Sequence, residues 1–173
     1  MDYSDAQTVV VADWDPGQTW VQFVVPETFE IQPGQVITLI HSTTTKTHTV
    51  TNLTVTDVDP DSDIVVGTAD PDGPITVWAC DESECVFRYE AADGSGGWIA
   101  DFGNPGDEPG EDIFDIGPGT SVDAYEHDDD GDATAVQWRV PNHRFNVYVT
   151  WNAWRAMIGR RERWSPSPST TLA

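Results

Sequence analysis

Apolar and polar residues alternate in short runs along most of the chain, and turn-forming residues separate the runs. The clearest stretch, residues 63–102, is rich in Val, Ile, Trp, Phe and Tyr, which favour the pleated surface of a strand. Its breaks contain Pro, Gly, Asp and Ser, which favour turns; they lie at 71–74, 81–84 and 93–97. The pattern predicts an all-β chain of short antiparallel strands.

The chain also contains an internal repeat. Residues 29–34 (FEIQPG) match residues 114–119 (FDIGPG), and residues 20–23 resemble residues 98–102. After each Pro-Gly turn comes a strand that ends near a histidine, then a polar tip and a second strand. The order of these features agrees in both places, so we interpret the two segments as copies of one module.

The repeat sets the expected domain boundaries. Residues 54–141 offer seven strands, the number in an immunoglobulin-like (Ig-like) sandwich, with an acidic insertion at 104–112. Residues 1–53 hold only the last four strands of such a module, so we expect a truncated first copy. Ig-like sandwich modules in tandem are therefore the predicted architecture.

Residues 142–173 differ from the rest and are expected to form a largely unstructured tail. They hold five of the eight basic residues and end in Ser-Pro repeats. One interpretation is a natural tail with a short helix at 151–163. The other is the start of a next module read out of frame, because codons permitted for residues 154–173 also encode VEGYDWPTGTMVTLTVDDPG, which aligns with residues 65–82.

The charge of the chain limits the classes of binding partner that we expect. The sequence has 30 acidic residues against eight Lys and Arg, a formal net charge of −22. Such a surface repels phosphates and anionic lipids, which argues against nucleic acid as a partner. No apolar run approaches the ~20 residues that a membrane span needs, so no membrane insertion is expected.

Two sets of alternating aspartates are candidate Ca²⁺ ligands. The first surrounds Gly131 and the second lies at the boundary between the copies; they are Asp128, Asp130 and Asp132, and Asp57, Asp59, Asp61 and Asp63. Carboxylates at alternate positions beside a glycine suit a Ca²⁺ loop. The alternatives are an acidic hairpin tip and a solvated linker.

Cysteine and tryptophan give two more expectations. Cys80 and Cys85 flank a predicted hairpin loop and are a disulfide candidate, with two free thiols as the alternative. Trp78 and Trp98 lie in alternating runs and are expected in the core of the second module, as are Trp20 and Trp138 in their own strands. The four histidines are scattered without catalytic spacing, so no enzyme is predicted.

Three stretches of the second module resemble bacterial Ig-like repeats. They are residues 66–71 (VGTADP), 75–78 (ITVW) and 91–102 (AADGSGGWIADF). Such repeats usually have glycine directly after this proline, whereas here Asp72 follows Pro71, so that turn is expected to differ. The insertion at 104–112 is also outside a minimal Ig-like unit.

The resemblance implies a function of a general kind. Such repeats occur in tandem in large secreted and cell-surface proteins, which implies a non-enzymatic structural or adhesive segment at an extracellular location, although residues 1–11 carry no signal-peptide pattern. Neighbouring modules, surface glycans or other cell-surface proteins would be its partners. The alternative is a carbohydrate-binding module of a secreted hydrolase, which an aromatic row on an exposed face would favour.

Overall fold

A computed structural model describes residues 3–158, which contain thirteen β-strands and one 3₁₀ turn but no α-helix. The strands are β1 Val10–Ala12, β2 Asp15–Trp20, β3 Val36–His41, β4 Thr44–Thr49, β5 Thr54–Asp59, β6 Ile64–Thr68, β7 Pro74–Cys80, β8 Cys85–Ala91, β9 Gly97–Asp101, β10 Ser121–His127, β11 Ala133–Arg139, β12 His143–Tyr148 and β13 Ala153–Ile158. The predicted all-β class is confirmed.

Seven of these strands, β5 to β11, form two antiparallel sheets. One sheet has the order β5-β6-β9 and the other has the order β11-β10-β7-β8. Residues that alternate along each strand point between the sheets, and Val65, Val77, Ala100 and Val122 are fully buried there. Two short sheets that face each other across one apolar core are the arrangement of an Ig-like sandwich.

The tryptophans divide between the core and the surface. Trp98 is buried, as predicted, but the prediction for Trp78 is wrong. Its neighbours Val77 and Ala79 point into the core, so alternation along β7 places Trp78 on the outer face of the sheet, where its ring lies 5.1 Å from that of Phe87.

The same correction applies to the two remaining tryptophans that we expected in cores. Trp138 lies on the edge strand β11, and Trp20 lies in the β1–β2 hairpin, over which the described part of the chain places no second sheet. Both side chains are exposed. An edge strand and an isolated hairpin cannot cover an indole on all sides.

The acidic insertion folds back onto the open edge of the sandwich. Arg88 is buried, and its guanidinium donates to the carbonyls of Asn104 (2.6 Å) and Asp112 (2.9 Å), near the two ends of the insertion. Glu111 is also buried and accepts from the amide of Tyr89 at 2.7 Å. Burial alone would raise the pKa of Glu111, but hydrogen bonds from the amides of Tyr89 and Glu108 outweigh it and hold that pKa below its usual value.

The turn at Asp72 uses an unusual backbone conformation. Asp72 has a φ of 61°, in the left-handed region, and the amide of Gly73 donates to the carbonyl of Asp70 at 3.0 Å. Aspartate tolerates this region better than most residues, so the chain reverses direction here without the glycine that usually follows the proline.

The remaining strands form three separate hairpins, β1–β2, β3–β4 and β12–β13. The last of these corrects the expectation of little structure after residue 142, because β12 pairs with β13 from His143↔Ile158 to Tyr148↔Ala153. Instead of a helix starting at residue 151, a 3₁₀ turn (Val149–Trp151) and the left-handed Asn152 (φ 47°) reverse the chain. Residues 159–173 of the expected tail lie outside the described residues.

The two tryptophans of the sandwich give a matched test of the core. Replacing Trp98 with alanine removes a buried indole and should lower the free energy of unfolding by about 3–5 kcal/mol. Trp78→Ala removes a half-buried indole from the outer face and should cost less than about 2 kcal/mol. Urea unfolding monitored by circular dichroism gives both values, and equal losses would contradict the assignment of the two faces.

Candidate functional site

The loop between β10 and β11, residues 128–132, is a tight acidic tip. The amide of Asp128 donates to the carbonyl of Asp132 at 2.9 Å, and the Asp128 carboxylate accepts from the amide of Asp132, also at 2.9 Å. Gly131 has a φ of 87°, which a glycine adopts at no steric cost. The sequence therefore folds this loop into a turn that directs several carboxylates to one side.

Asp128, Asp130 and Asp132 come together as the sequence predicted. One carboxylate oxygen from each lies within 4.8 Å of the others, and within residues 3–158 no other group of three acidic, His or Cys side chains is this close. Carboxylate oxygens at this spacing suit a hard cation such as Ca²⁺ in type, although Ca²⁺ takes six to eight oxygen ligands. The tip alone therefore supplies only part of a Ca²⁺ shell.

The second candidate set is not brought together. Asp57 accepts from the amide of Val58 at 2.9 Å, and Asp59 accepts from the hydroxyl of Ser62 at 2.7 Å. Asp63 adopts a left-handed φ of 57° and accepts from the amide of Ile116 at 2.8 Å. These carboxylates organise the β5–β6 turn and its neighbouring loop, and Asp61 belongs to the same turn.

Two side chains from β4 contact the acidic tip. The Lys46 ammonium lies 2.7 Å from Asp132 Oδ1 and 3.6 Å from Asp130 Oδ2. His48 Nδ1 lies 2.8 Å from Asp128 Oδ2. Sequence reasoning missed both because they are 80 or more residues away, but a signal was present: Lys46 is the single lysine of a strongly acidic chain.

The contact shifts the acidity of the groups that it joins. The hydrogen bond from His48 is the main cause that lowers the pKa of Asp128 from 3.8 to about 2. The hydrogen bond to the Asp132 carboxylate raises the pKa of Lys46, and the charge of Asp130 adds to it. Both shifts favour the charged forms, so the tip and the β3–β4 hairpin attract each other. We call this set of contacts the ionic joint.

The connection between β4 and β5 is short and is also held in place. His48 Nε2 lies 2.9 Å from the hydroxyl oxygen of Thr134, which also accepts from the amide of Thr51 at 2.9 Å. The side-chain amide of Asn52 donates to Asp70 at 2.7 Å. The hairpin is therefore attached to the sandwich at several points.

An apolar cleft of about 420 Å³ lies between the β3–β4 hairpin and β11. Its apolar walls come from the hairpin side and from the edge strand, and they are Ile31, Ile37, Leu39, Val50, Ala133 and Ala135. Lys46, His48, Asp132 and Thr134 also line it. The ionic joint thus borders a cleft that the hairpin leaves open.

The β3–β4 hairpin repeats the backbone hydrogen bonds of the β10–β11 hairpin. The amide of Gly34 donates to the carbonyl of Val50 at 2.7 Å, and the amide of Gly119 donates to the carbonyl of Val140 at 3.0 Å. Both glycines have a positive φ, 82° and 96° respectively. The two copies found in the sequence therefore share local structure in the last hairpin of each copy, β3–β4 and β10–β11, which we call the closing hairpin.

The two cysteines are joined at the other end of the sandwich. Cys80 and Cys85 form a disulfide across the β7–β8 hairpin. Within the loop, the Asp81 carboxylate accepts from the amide of Ser83 at 2.7 Å, which lowers the pKa of Asp81. The disulfide closes a short loop at the edge of the four-stranded sheet.

Among known proteins, similarity is found with solved structures and not with family models or curated sequences. No protein-family model matches the chain, and no curated protein matches it. A crystal structure of a tetra-tandem repeat in the extending region of a large adhesion protein is similar with a TM-score of 0.35 and 15% identity. The match covers 59% of this chain and only 28% of that one.

Between residues 3 and 158, no helix has the length and apolar character needed to cross a bilayer.

The ionic joint predicts acid sensitivity that depends on Asp128. Because the folded-state pKa of Asp128 lies below its unfolded value of 3.8, its contribution to stability is complete above that value and is lost as the pH falls toward about 2. Stability measured by urea unfolding at several pH values should therefore fall less steeply for Asp128→Asn than for the unmodified protein.

Asp129→Asn is the matched control, since Asp129 is in the same tip but takes part in none of the three ion pairs. It should keep the pH dependence of the unmodified protein. Identical curves for all three proteins would mean that the contact between His48 and Asp128 contributes nothing to the folded state.

Proposed function

We propose that this chain is a non-enzymatic segment of an extracellular or cell-surface protein, in which Ig-like modules follow one another and serve a structural or adhesive role. The observation that carries the proposal is the repetition of the closing hairpin: β3–β4 and β10–β11 share their backbone hydrogen bonds, and strands β5 to β9 lie between them along the chain. A chain that repeats one unit in series provides length and spacing.

The ionic joint supports this proposal because it connects one unit to the next through direct side-chain contacts. The joint places both Lys46 and His48 on the tip of the following sandwich, and the connecting residues are hydrogen-bonded as well. Contacts of this kind limit bending between units. Exposed ion pairs contribute only about 0–1 kcal/mol each, so the joint would favour one orientation of the two units without making the link between them rigid.

The disulfide and the surface charge are consistent with the proposed location. Disulfides persist mainly outside the reducing cytosol, and Cys80 is bonded to Cys85. A net charge of −22 keeps the surface hydrated and disfavours nucleic acid and anionic membranes. Neighbouring modules are the first proposed partners, and surface glycans or other cell-surface proteins are the second.

Ca²⁺ is proposed as a ligand of the acidic tip, but it would compete with the hairpin. Asp132 and Asp128 already pair with Lys46 and His48, so a bound cation would replace these two groups. Ca²⁺ carries two positive charges, and Lys46 and His48 together carry at most two. The electrostatic energy gained from the bound cation would therefore be nearly offset by the energy lost from these two contacts. We therefore propose modest stabilisation by Ca²⁺.

A Ca²⁺ titration tests this part of the proposal. Millimolar Ca²⁺ should raise the melting temperature slightly, because binding to the native state alone stabilises by RT ln(1 + [L]/Kd). Lys46→Met should increase the shift, since it removes the competing ammonium, and Asp130→Asn should reduce it. If NaCl of matched ionic strength gives the same shift in all three proteins, only screening acts and the tip is not a Ca²⁺ site.

A carbohydrate-binding module is the second candidate, because the four-stranded sheet carries aromatic residues on its outer face. The ring of Phe87 lies 5.1 Å from Trp78 and 5.0 Å from Tyr89, and Tyr89 is 60% exposed. Aromatic rings of this kind can stack on sugar rings. The rings are tilted by 48° and 57° to each other, however, so they do not form one flat platform.

Single-molecule pulling between the chain ends tests the structural role. We expect one main force peak, from the disulfide-bonded sandwich, because its two sheets must separate cooperatively. Reduction of the disulfide should lengthen the released chain by about 13 Å, since five residues extend to about 17 Å whereas the Cα atoms of the bridged cysteines are only 4.1 Å apart. Extension at low force without a peak would contradict a force-resisting module.

A further inference from the structure

The β3–β4 hairpin exposes a face whose equivalent is buried in the β10–β11 hairpin, its counterpart in the second copy. Ile37 occupies the place in β3 that Val122 occupies in β10, counting from Gly34 and Gly119. Ile37 is 44% exposed, whereas Val122 is completely buried beneath the three-stranded sheet. The hairpin therefore carries the inner face of a sandwich, and no second sheet from residues 3–158 covers this face.

The β12–β13 hairpin exposes the complementary face. β12 begins three residues after Val140, as β5 begins four residues after Val50, so β12 follows the second copy as β5 follows the first. Phe145 in β12 corresponds to Val55 in β5, because Phe145 lies five residues after Val140 and Val55 lies five residues after Val50. Val55 is 7% exposed because it packs in the core, and Phe145 is 68% exposed.

In the complete sandwich these two faces meet. β5 contacts β11, and Val55 and Val122 belong to the same core cluster. We propose that the β12–β13 hairpin of one chain packs on the β3–β4 hairpin of a second copy, so that the two chains associate head to tail. The arrangement would reproduce between chains the packing that β5–β6 and β10–β11 make within one chain.

The charge distribution favours a second copy as the occupant. The β12–β13 hairpin carries Arg144 and Arg155, and the rest of the chain is strongly acidic. A basic hairpin is attracted to an acidic body of another copy, which lowers the repulsion that two chains of net charge −22 would otherwise have.

The open cleft beside the ionic joint gives the incoming hairpin a place. Its walls include Ile37 and Leu39, the inward residues of β3, together with Ile31. Phe145 and Val147 project from one face of β12, because they alternate with Asn146. An apolar ridge from one chain would thus meet an apolar cleft in the next.

The proposed contact joins two different surfaces. Each chain would keep one free surface of each kind at its ends, so association would continue into open chains rather than stop at a closed dimer. This inference can fail separately from the proposed function. Pulling on single molecules tests the sandwich alone, whereas the contact proposed here forms only between two molecules.

Analytical ultracentrifugation of the full chain and four variants tests the contact. The unmodified protein should exceed its monomer mass of 19.0 kDa increasingly as its concentration rises. Ile37→Asp and Phe145→Asp should each remain monomeric. Their equimolar mixture should form dimers of two 19.0 kDa chains and nothing larger, because each variant retains one intact surface.

Val36→Asp and Asn146→Asp are the matched controls, since they place the same charge on the opposite faces of β3 and β12. Both should associate like the unmodified protein, and circular dichroism should show the sandwich intact in all variants. An unmodified protein that stays monomeric, a blocked variant that still self-associates, a mixture that stays monomeric, or controls that lose association would each overturn the proposal.

Discussion

The packing of the three-stranded sheet against the four-stranded sheet is the interaction on which the rest of the structure depends. Each sheet has one apolar face, and neither face is stable in water until the other covers it. Val65 and Ala100 meet Val77 and Val122 across this interface. Strands β5 to β11 satisfy this requirement within themselves, whereas the hairpins on either side do not, and their exposed apolar residues follow from that difference.

The core also needs a closed edge, which the acidic insertion provides. Burying a guanidinium is costly unless its donors are satisfied, and Arg88 satisfies them with backbone carbonyls, including those of Asn104 and Asp112. Its guanidinium also lies 4.8 Å from the centre of the Phe102 ring. A segment that is hydrophilic in sequence is thereby tied to the core by one buried cation.

The strands, the repeat and the acidic tip could be predicted from the sequence because each depends on local patterns. The direction of Trp78 could not, because apolar residues occupy both parities of β7 and alternation alone does not say which face is inward. The ionic joint could not be predicted either, since Lys46 and Asp132 are brought together only by the fold. The β12–β13 hairpin was missed because basic and Pro-rich composition outweighed the alternation of Phe145 and Val147.

The acidic tip shows how one loop can have a structural role that its composition does not reveal. Three aspartates around a glycine suggest a cation site, and the nearest cation is the ammonium of Lys46 from the preceding hairpin. The same carboxylates would accept Ca²⁺ only in exchange for this contact. The proposed effect of Ca²⁺ therefore concerns the link between units as much as the stability of one unit.

Residue-resolved amide hydrogen exchange at low protein concentration tests most directly whether one self-covered sandwich carries the stability of the chain. The account predicts that amides of β6, β7, β9 and β10 exchange only through global unfolding, while amides of β3–β4 and β12–β13 exchange far faster through local opening. Protection of β3–β4 equal to that of β10–β11 under these conditions would contradict it.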